Sequence, residues 1–157
     1  LAVDQSGYGK KTLASGRAWG VAVHESFESV VAYVVEAPVK DGQPVLHRAT
    51  AGVHCNLVVN PRTVEAQVQG AALMGLSMCL PGAAITLKDG VVEQSNFGDF
   101  VLPRISDMPE IAVHVVPSAE PPTGMGEPGL PPLAPAFANA LAQLTGKPLR
   151  ELPFKLA

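Results

Sequence analysis

A proline- and glycine-rich segment at residues 117–135 constrains this sequence most. Seven of the chain's 15 prolines and three of its 15 glycines fall in these 19 residues. Proline fixes its own φ angle and limits the freedom of the unfolded chain. Loops of this length inside a compact domain are usually either functional or disordered. Because apolar segments flank this one on both sides, the sequence predicts a rigid loop.

The composition indicates a chain that is covered by other protein. Its 157 residues match the size of one domain, since domains commonly contain about 100–150 residues. Only 16% of the residues are charged, against roughly 25% in an average soluble protein, while 47% are hydrophobic. A small domain has much surface per residue, and so few charged residues leave much of that surface without charged side chains. The first residue is Leu1 rather than Met. We therefore expect the chain to be a piece of a larger protein.

Charge and hydropathy exclude several classes of protein. The net charge is −3, and no stripe of Lys and Arg is present to neutralise nucleic-acid phosphates. The longest nearly apolar stretch, Ala71–Leu80, is far shorter than the roughly 20 residues that span a bilayer, so no transmembrane segment is predicted. The two cysteines, Cys55 and Cys79, are predicted to be free thiols in the core. The four histidines lack the spacing of a metal site.

Runs of β-favouring residues separated by turns predict a set of hairpins. Residues from Trp19 to Val39 are rich in Val and predict two strands with a bend at Glu25–Glu28. Asp41-Gly42 predicts the next turn, because these residues tolerate the positive φ angles of tight hairpins. A third strand is predicted from Val45 towards Cys55. Two further predictions are a hairpin at Ala84–Ser95, with Asp89-Gly90 at its turn, and a strand at Ile111–Val116.

Two helices are predicted, at about 61–80 and 132–145. Asn60-Pro61 predicts the start of the first, since Asn caps free N–H groups and Pro fits the first helical position. The second carries four apolar side chains on one stripe, namely Leu133, Phe137, Leu141 and Leu144. Hairpins interspersed with two main helices, without regular alternation, predict an α+β fold. We expect a single domain over 1–157, in which residues 1–17 are a lead-in segment without periodicity.

Residues 124–129 of the loop match the pattern G-x-G-x-x-G of dinucleotide-binding proteins. That fingerprint requires a strand that leads directly into the glycines and a helix that begins on them. Here two prolines precede the glycines and two follow them, and Pro128 removes an N–H group from the supposed phosphate cradle. We therefore do not expect this motif to bind a nucleotide.

Glu127 is the only ionisable residue between Pro121 and Gln143. A carboxylate that is buried away from water has a raised pKa, which makes it a useful general base near neutral pH. The alternative is a solvent-exposed acid on a surface loop, or one that caps the start of a helix. Composition alone favours this alternative, and the residues themselves leave both open.

Four stretches of the chain resemble the molybdenum hydroxylases, the family of xanthine dehydrogenase and aldehyde oxidoreductase. They are Gly20–Phe27, Asn60–Gly70, Glu93–Phe97, and the loop run Pro121–Gly129 with Ala134–Ala140 behind it. In this order they are similar to the C-terminal part of a large, molybdopterin-binding subunit of the isoquinoline 1-oxidoreductase type. The resemblance implies that the chain is one portion of a larger molybdopterin-binding domain and a C-terminal fragment of that subunit.

The resemblance also implies roles for individual residues. The Glu of the family's G-x-G-E motif lies beside molybdenum, so Glu127 would be the base in the oxidation of an aldehyde or N-heteroaromatic substrate with water-derived oxygen. The resemblance therefore favours a catalytic base at Glu127, whereas composition alone favours a solvent-exposed or helix-capping acid. The family's helical Gln contacts the pterin, which implies the same for Gln67, with Gly70 allowing close approach. Gly124 and Gly126, the glycines of the motif, are assigned to the cofactor site as well. The implied cofactor is molybdopterin with molybdenum, as molybdopterin cytosine dinucleotide.

The implied partners are the remainder of the large subunit, an iron–sulfur subunit that carries [2Fe-2S] clusters, and a small-molecule substrate. Because most of the pocket would lie elsewhere, the 157-residue chain alone is expected to hold no molybdenum tightly and to have no oxidase activity. The alternative is a non-catalytic module that keeps the fold for assembly or partner binding.

The chain departs from the family pattern just before the first helix. Relatives commonly show Asp-Cys-Gly where this sequence has His54-Cys55-Asn56. The loss of the glycine predicts an altered turn, and the loss of the Asp predicts a missing structural hydrogen bond. Neither change involves Glu127.

Overall fold

A main β-sheet and two long helices organise the chain, for which a computed structural model describes residues 1–156. The strands are β1 (Arg17–Ser26), β2 (Ser29–Lys40), β3 (Gln43–Pro44), β4 (Arg48–His54), β5 (Leu87–Lys88), β6 (Val91–Val92) and β7 (Glu110–Val115). The helices are α1 (Ala2–Ser6), α2 (Pro61–Cys79) and α3 (Leu133–Thr145). The α+β class and the two helices predicted at 61–80 and 132–145 are confirmed.

The long hairpin β1–β2 supplies the centre of the sheet. Its strands pair antiparallel up to Ser26 and Ser29. The two turn residues, Phe27 and Glu28, have φ angles of 52° and 60°. Two central residues with positive φ define a turn whose twist matches that of the paired strands. The predicted bend is therefore confirmed as a two-residue turn.

The main sheet has the order β1-β2-β4-β7, with β3 paired to the end of β2. β4 is antiparallel to β2 and parallel to β7. The turn before β3 is as predicted, with φ angles of 51° at Asp41 and 73° at Gly42. The single strand predicted over 45–55 is wrong in its first part. Val45 and His47 still donate amide hydrogen bonds to β2, at 3.1 Å and 2.9 Å, but the regular ladder resumes only at β4.

α2 begins at the predicted cap. The side-chain oxygen of Asn60 accepts hydrogen bonds from the amides of Arg62 (3.1 Å) and Thr63 (3.4 Å), and Pro61 occupies the first helical position. The helix buries one face, at Val68, Ala72, Gly75, Leu76, Ser77 and Cys79. Among residues 1–156 no helix, α2 included, is long and apolar enough to cross a membrane.

α3 lies directly on β1 and β2 because Gly20 has no side chain. A Cβ atom at Gly20 would overlap the carbonyl oxygen of Ala136 and lie 2.6 Å from the amide nitrogen of Ala140. Gly146, with a φ angle of 70°, ends the helix as predicted. The hydrophobic core fills the space between this face of the sheet and the two long helices.

Of the two glycines on α2, only Gly75 allows close approach within the described chain. A Cβ at Gly75 would lie 3.1 Å from Cβ of Leu133, so α2 and α3 meet closely there. At Gly70 no other part of the described chain lies within 4 Å of that position, apart from the chain neighbours and the backbone of α2 itself, and the residue is exposed. The close approach of a pterin to Gly70 stays a prediction.

Residues 1–17 are not wholly irregular, contrary to the prediction. α1 packs on β2 and β4, and the amide nitrogen of Ala2 lies 3.0 Å from the position of a Cβ at Gly52. Lys11 and Arg17 contact the buried carboxylate of Glu36 at 3.5 Å and 3.4 Å. A helix of five residues is too short to display a period of 3.6, which is why the sequence pattern misses it.

The remaining predictions for the fold hold with one adjustment. The hairpin β5–β6 has Asp89-Gly90 at its turn, with φ angles of 51° and 80°, but its strands contain only two residues each. Cys55 and Cys79 are both free and buried, as predicted. Burial raises the pKa of the Cys79 thiol to about 12, and this thiol donates a hydrogen bond to the carbonyl of Gly75 at 3.2 Å.

Gly20→Ala is expected to destabilise the fold by about 1–3 kcal/mol or more, because the added methyl meets backbone atoms of α3 that cannot rotate away. The matched control is Gly70→Ala, which adds a methyl in open space and improves helix propensity by up to about 1 kcal/mol. Urea unfolding of both variants measures the difference. Wild-type stability of Gly20→Ala would contradict the close contact between α3 and β1.

The free energy of unfolding is expected to fall as the pH rises above about 9. The pKa of Cys79 is about 12 in the folded chain against an ordinary value of 9.0, so the thiol loses its proton first in the unfolded chain. The stability that the protonated thiol contributes is complete at pH values below the unfolded pKa. It is lost as the pH rises from the unfolded pKa to the folded pKa, with a limiting slope of about 1.4 kcal/mol per pH unit. Cys79→Ala should remove this share of the slope between about pH 9 and 11; an unchanged slope would contradict it.

Candidate functional site

The first part of the proline- and glycine-rich loop runs alongside the segment that comes after β4. The amide of Val116 donates to the carbonyl of Val53 at 2.7 Å, which extends the pairing of β7 with β4. Farther along, the amide of Leu57 donates to the carbonyl of Glu120 at 3.0 Å, and the amide of Thr123 donates to that of Cys55 at 3.3 Å. The first part of the loop is thus held by backbone hydrogen bonds, as the prediction of a rigid loop requires.

The middle of the loop contacts the turn between β1 and β2. The amide of Gly124 donates to the carbonyl of Phe27 at 3.2 Å. A Cβ at Gly124 would lie 2.7 Å from Cβ of Phe27, so only glycine allows this approach. Beside it, the hydroxyls of Thr123 and Ser29 are 2.7 Å apart.

The end of the loop packs on α2. Pro128 and Gly129 are buried, and a Cβ at Gly129 would lie 3.1 Å from Cβ of Ala71 and 3.3 Å from the hydroxyl of Tyr33. That hydroxyl donates to the carbonyl of Val68 at 3.4 Å, and burial raises the pKa of the Tyr33 phenol. The loop is therefore fixed on both sides of Glu127.

Glu127 itself is exposed to solvent. Its loop neighbours Gly126 and Gly129 carry no side chains, and the ring of Pro128 is buried. The carbonyl of Glu127 accepts a hydrogen bond from the amide of Leu130 at 2.9 Å, which closes a turn here. In the part of the chain that the structure describes, Glu127 is thus the solvent-exposed acid that composition favours.

The structure brings Gln67 on α2 to the glycines of the loop. The side-chain nitrogen Nε2 of Gln67 lies 3.7 Å from the position of a Cβ at Gly126. Gly70 lies three residues farther along the helix, where side chains share a face, and Gly126 precedes Glu127. These four residues are exposed and form one surface, which we call the loop–helix surface. Gly124 stands apart from it, against Phe27.

The loop–helix surface lacks the features of two other kinds of site. β7 ends nine residues before Gly124, and α3 begins at Leu133, so neither the strand nor the helix of a dinucleotide site adjoins the glycines. Within residues 1–156 no three side chains of His, Cys, Asp or Glu are grouped so as to hold a metal ion.

The departure from the family pattern before α2 places Asn56 in a left-handed conformation, with a φ angle of 59°. Asn is one of the few residues other than Gly that adopt this conformation readily. The altered turn stays a prediction, and the turn of this chain is one that a glycine could also form.

Two features near the loop were not predicted from the sequence. One is the pairing of Ser29 with Thr123, which no local pattern signals. The other is an apolar cavity of about 250 Å³ beside the start of α2, lined by residues that include Val58, Val64 and Met125. The apolar run after Cys55 was the available signal for it.

The chain belongs to the molybdopterin cofactor-binding domain family, whose sequence profile matches residues 11–109. Over 144 residues it is 34% identical to the beta subunit of isoquinoline 1-oxidoreductase from Brevundimonas diminuta, covering 90% of this chain and 18% of that protein. It is 32% identical to the membrane-bound aldehyde dehydrogenase [pyrroloquinoline-quinone] of Gluconacetobacter polyoxogenes, covering 99% of this chain and 21% of that protein. The chain thus spans about a fifth of the length of these relatives.

Solved structures share the fold. Reconstituted CO dehydrogenase from Oligotropha carboxidovorans superposes with a TM-score of 0.63 at 21% identity, over 82% of this chain and 17% of that one. Quinoline 2-oxidoreductase from Pseudomonas putida 86 superposes with a TM-score of 0.62 at 20% identity, over 75% of this chain and 16% of that one. The predicted membership of the family and the predicted fold are confirmed.

Proposed function

We propose that this chain supplies a catalytic Glu127 and part of the pterin site to a molybdenum hydroxylase that oxidises an aldehyde or an N-heteroaromatic substrate. The observation that carries the proposal is the close approach of the Gln67 side chain to Gly126. Two segments about 60 residues apart meet there, one on α2 and the other on the loop. Both were assigned to the cofactor on sequence resemblance, and their meeting in space supports that assignment.

The residues of the loop–helix surface fit a pterin. A pterin is a flat heterocycle with hydrogen-bond donors and acceptors at its edge, and the side-chain amide of Gln67 can both donate and accept. Gly70 and Gly126 have no side chain to keep a flat ligand from the backbone. No other residue of the described chain obstructs the position of a Cβ at Gly70. The family match supports molybdopterin with molybdenum, and we propose the cytosine dinucleotide form.

A carboxylate such as that of Glu127 can act as a general base. When bound, the molybdenum cofactor would supply the two-electron oxidation by which water-derived oxygen enters an electron-poor carbon. Glu127 would accept, at a carboxylate oxygen, the proton that the water-derived oxygen gives up. The anchored segments on either side restrict the carboxylate to the part of the loop next to Gln67. A base must be held within hydrogen-bond reach of the proton that it removes.

The proposed partners follow from the surface of the chain. Several large apolar side chains are exposed, with Phe97 97%, Ile105 93% and Val59 85% accessible to solvent. Large apolar side chains as exposed as these would lose their contact with water if other protein covered them, which is favourable. We propose that the remainder of a large subunit covers this surface and Glu127, and that an iron–sulfur subunit with [2Fe-2S] clusters takes the electrons. The names of the relatives, which include isoquinoline, aldehyde and nicotinate enzymes, support the two substrate classes.

Glu127→Gln in the complete enzyme is expected to lower kcat by about 10²–10⁴-fold, since general-base catalysis contributes that much. Cofactor content should stay unchanged, because the amide has nearly the same shape. The measurement is steady-state turnover per bound molybdenum. Glu120→Gln is the matched control, an exposed acid on the same loop outside the motif. Turnover of Glu127→Gln within a few-fold of wild type would contradict the proposed base.

Gln67→Ala is expected to lower the cofactor content of the complete enzyme without unfolding it. Gln67 is exposed, and substitutions at such positions usually change stability by less than about 0.5 kcal/mol. Gln143→Ala on α3 is the control, because it removes an equally exposed helical glutamine far from the loop. Metal and pterin analysis of both purified variants tests the assignment. Equal cofactor content in the two would exclude a role for Gln67.

A further inference from the structure

We propose that Thr123 and Ser29 are positioning residues, whose mutual hydrogen bond holds the loop so that Glu127 stands at its working position. The proposal rests on the proposed function of Glu127. Thr123 and Ser29 lie outside the loop–helix surface. They would affect Glu127 by fixing the backbone of the loop on which it lies.

The hydrogen bond between the two hydroxyls is short, and the buried hydroxyl of Ser29 needs the hydroxyl of Thr123 as a partner. Oγ of Ser29 lies 2.7 Å from Oγ1 of Thr123, which is the usual length of a good O–H···O bond. Ser29 is fully buried at the first position of β2. A buried hydroxyl without a partner is costly, so the sheet favours a loop that keeps Thr123 in this place.

The backbone around Thr123 reinforces the same placement. Its amide donates to the carbonyl of Cys55 at 3.3 Å, and the next amide, that of Gly124, donates to Phe27 at 3.2 Å. Thr123 is thus where the loop meets both the end of β4 and the turn of β1–β2. On the far side of Glu127, Gly129 is fixed against α2.

Only a short span of chain separates these two fixed points. Met125, Gly126, Glu127 and Pro128 lie between Gly124 and Gly129. Loss of the hydroxyl bond leaves two backbone hydrogen bonds to hold this end of the span, so the end is held less firmly and the carboxylate can shift. Misplacement of a reacting group by 1 Å can cost about 100-fold in rate. Thr123 is therefore expected to affect the rate through Glu127 without touching the substrate.

The test uses the complete molybdenum enzyme with Thr123→Val, which removes the hydroxyl and nearly preserves the shape. We expect turnover per bound molybdenum to fall about 10- to 100-fold at unchanged KM, and Thr123→Ser to restore it. Ser29→Ala breaks the same hydrogen bond by removing its partner on β2. The variant with both Thr123→Val and Ser29→Ala should turn over no more slowly than the slower single variant, because both substitutions remove one bond. Ser118→Ala is the control, because it removes a hydroxyl and one hydrogen bond from the same loop at the other end.

A second readout does not depend on activity. Hydrogen–deuterium exchange of the segment Gly124–Glu127 should be faster in Thr123→Val and in Ser29→Ala than in wild type, and unchanged in Ser118→Ala. If Thr123→Val fails to fold, Ser29→Ala still breaks the bond and provides both measurements.

The outcomes separate this proposal from the one on which it rests. Wild-type turnover per molybdenum in Thr123→Val and Ser29→Ala, together with an inactive Glu127→Gln, would overturn the positioning role and leave the base intact. Lower molybdenum content with wild-type turnover per molybdenum would show a merely structural bond and would also overturn it. Wild-type turnover of Glu127→Gln would overturn both proposals.

Discussion

The hydroxyl of Tyr33 connects the three parts of the structure on which the candidate site depends. Tyr33 belongs to β2 and is fully buried, and its hydroxyl donates to the carbonyl of Val68 in α2. The same oxygen lies 3.3 Å from the position of a Cβ at Gly129 in the loop. Buried hydroxyls are nearly always paired, so this bond fixes the sheet against the helix, and the absence of a side chain at Gly129 lets the loop pack on both. Gln67 precedes Val68 and Glu127 lies two residues before Gly129, so the surface that they share follows from this contact.

Local signals in the sequence predict most of the secondary structure. Asn60-Pro61 predicts the start of α2, and Asp41-Gly42 predicts its turn, because each signal acts within a few residues. The turn at Phe27-Glu28 is less visible, since both residues take positive φ angles without being Gly, Asn or Asp. The parallel pairing of β4 with β7 cannot be predicted from either strand, because a short run of β-favouring residues does not encode its partner.

The candidate site is a different case, since its residues were chosen by resemblance and not by pattern. Composition favoured an exposed Glu127, and the structure finds it exposed in this chain. No short-range signal connects Gln67 to Gly126, and their contact arises from the packing of the loop on α2. What the chain's own sequence does encode is the rigidity of the loop, through prolines and through glycines that permit close approach at Phe27 and Ala71.

The bond between Ser29 and Thr123 joins residues 94 positions apart. A contact of such long range closes a large loop of chain, which costs more conformational entropy than a local contact. β7 comes last along the chain among the strands of the sheet, and the loop follows it. The loop is anchored to residues beside these strands, so it has its shape only in a chain whose sheet is formed. Gln67 and Gly126 are far apart in sequence, and their proximity is likewise a property of the folded chain alone.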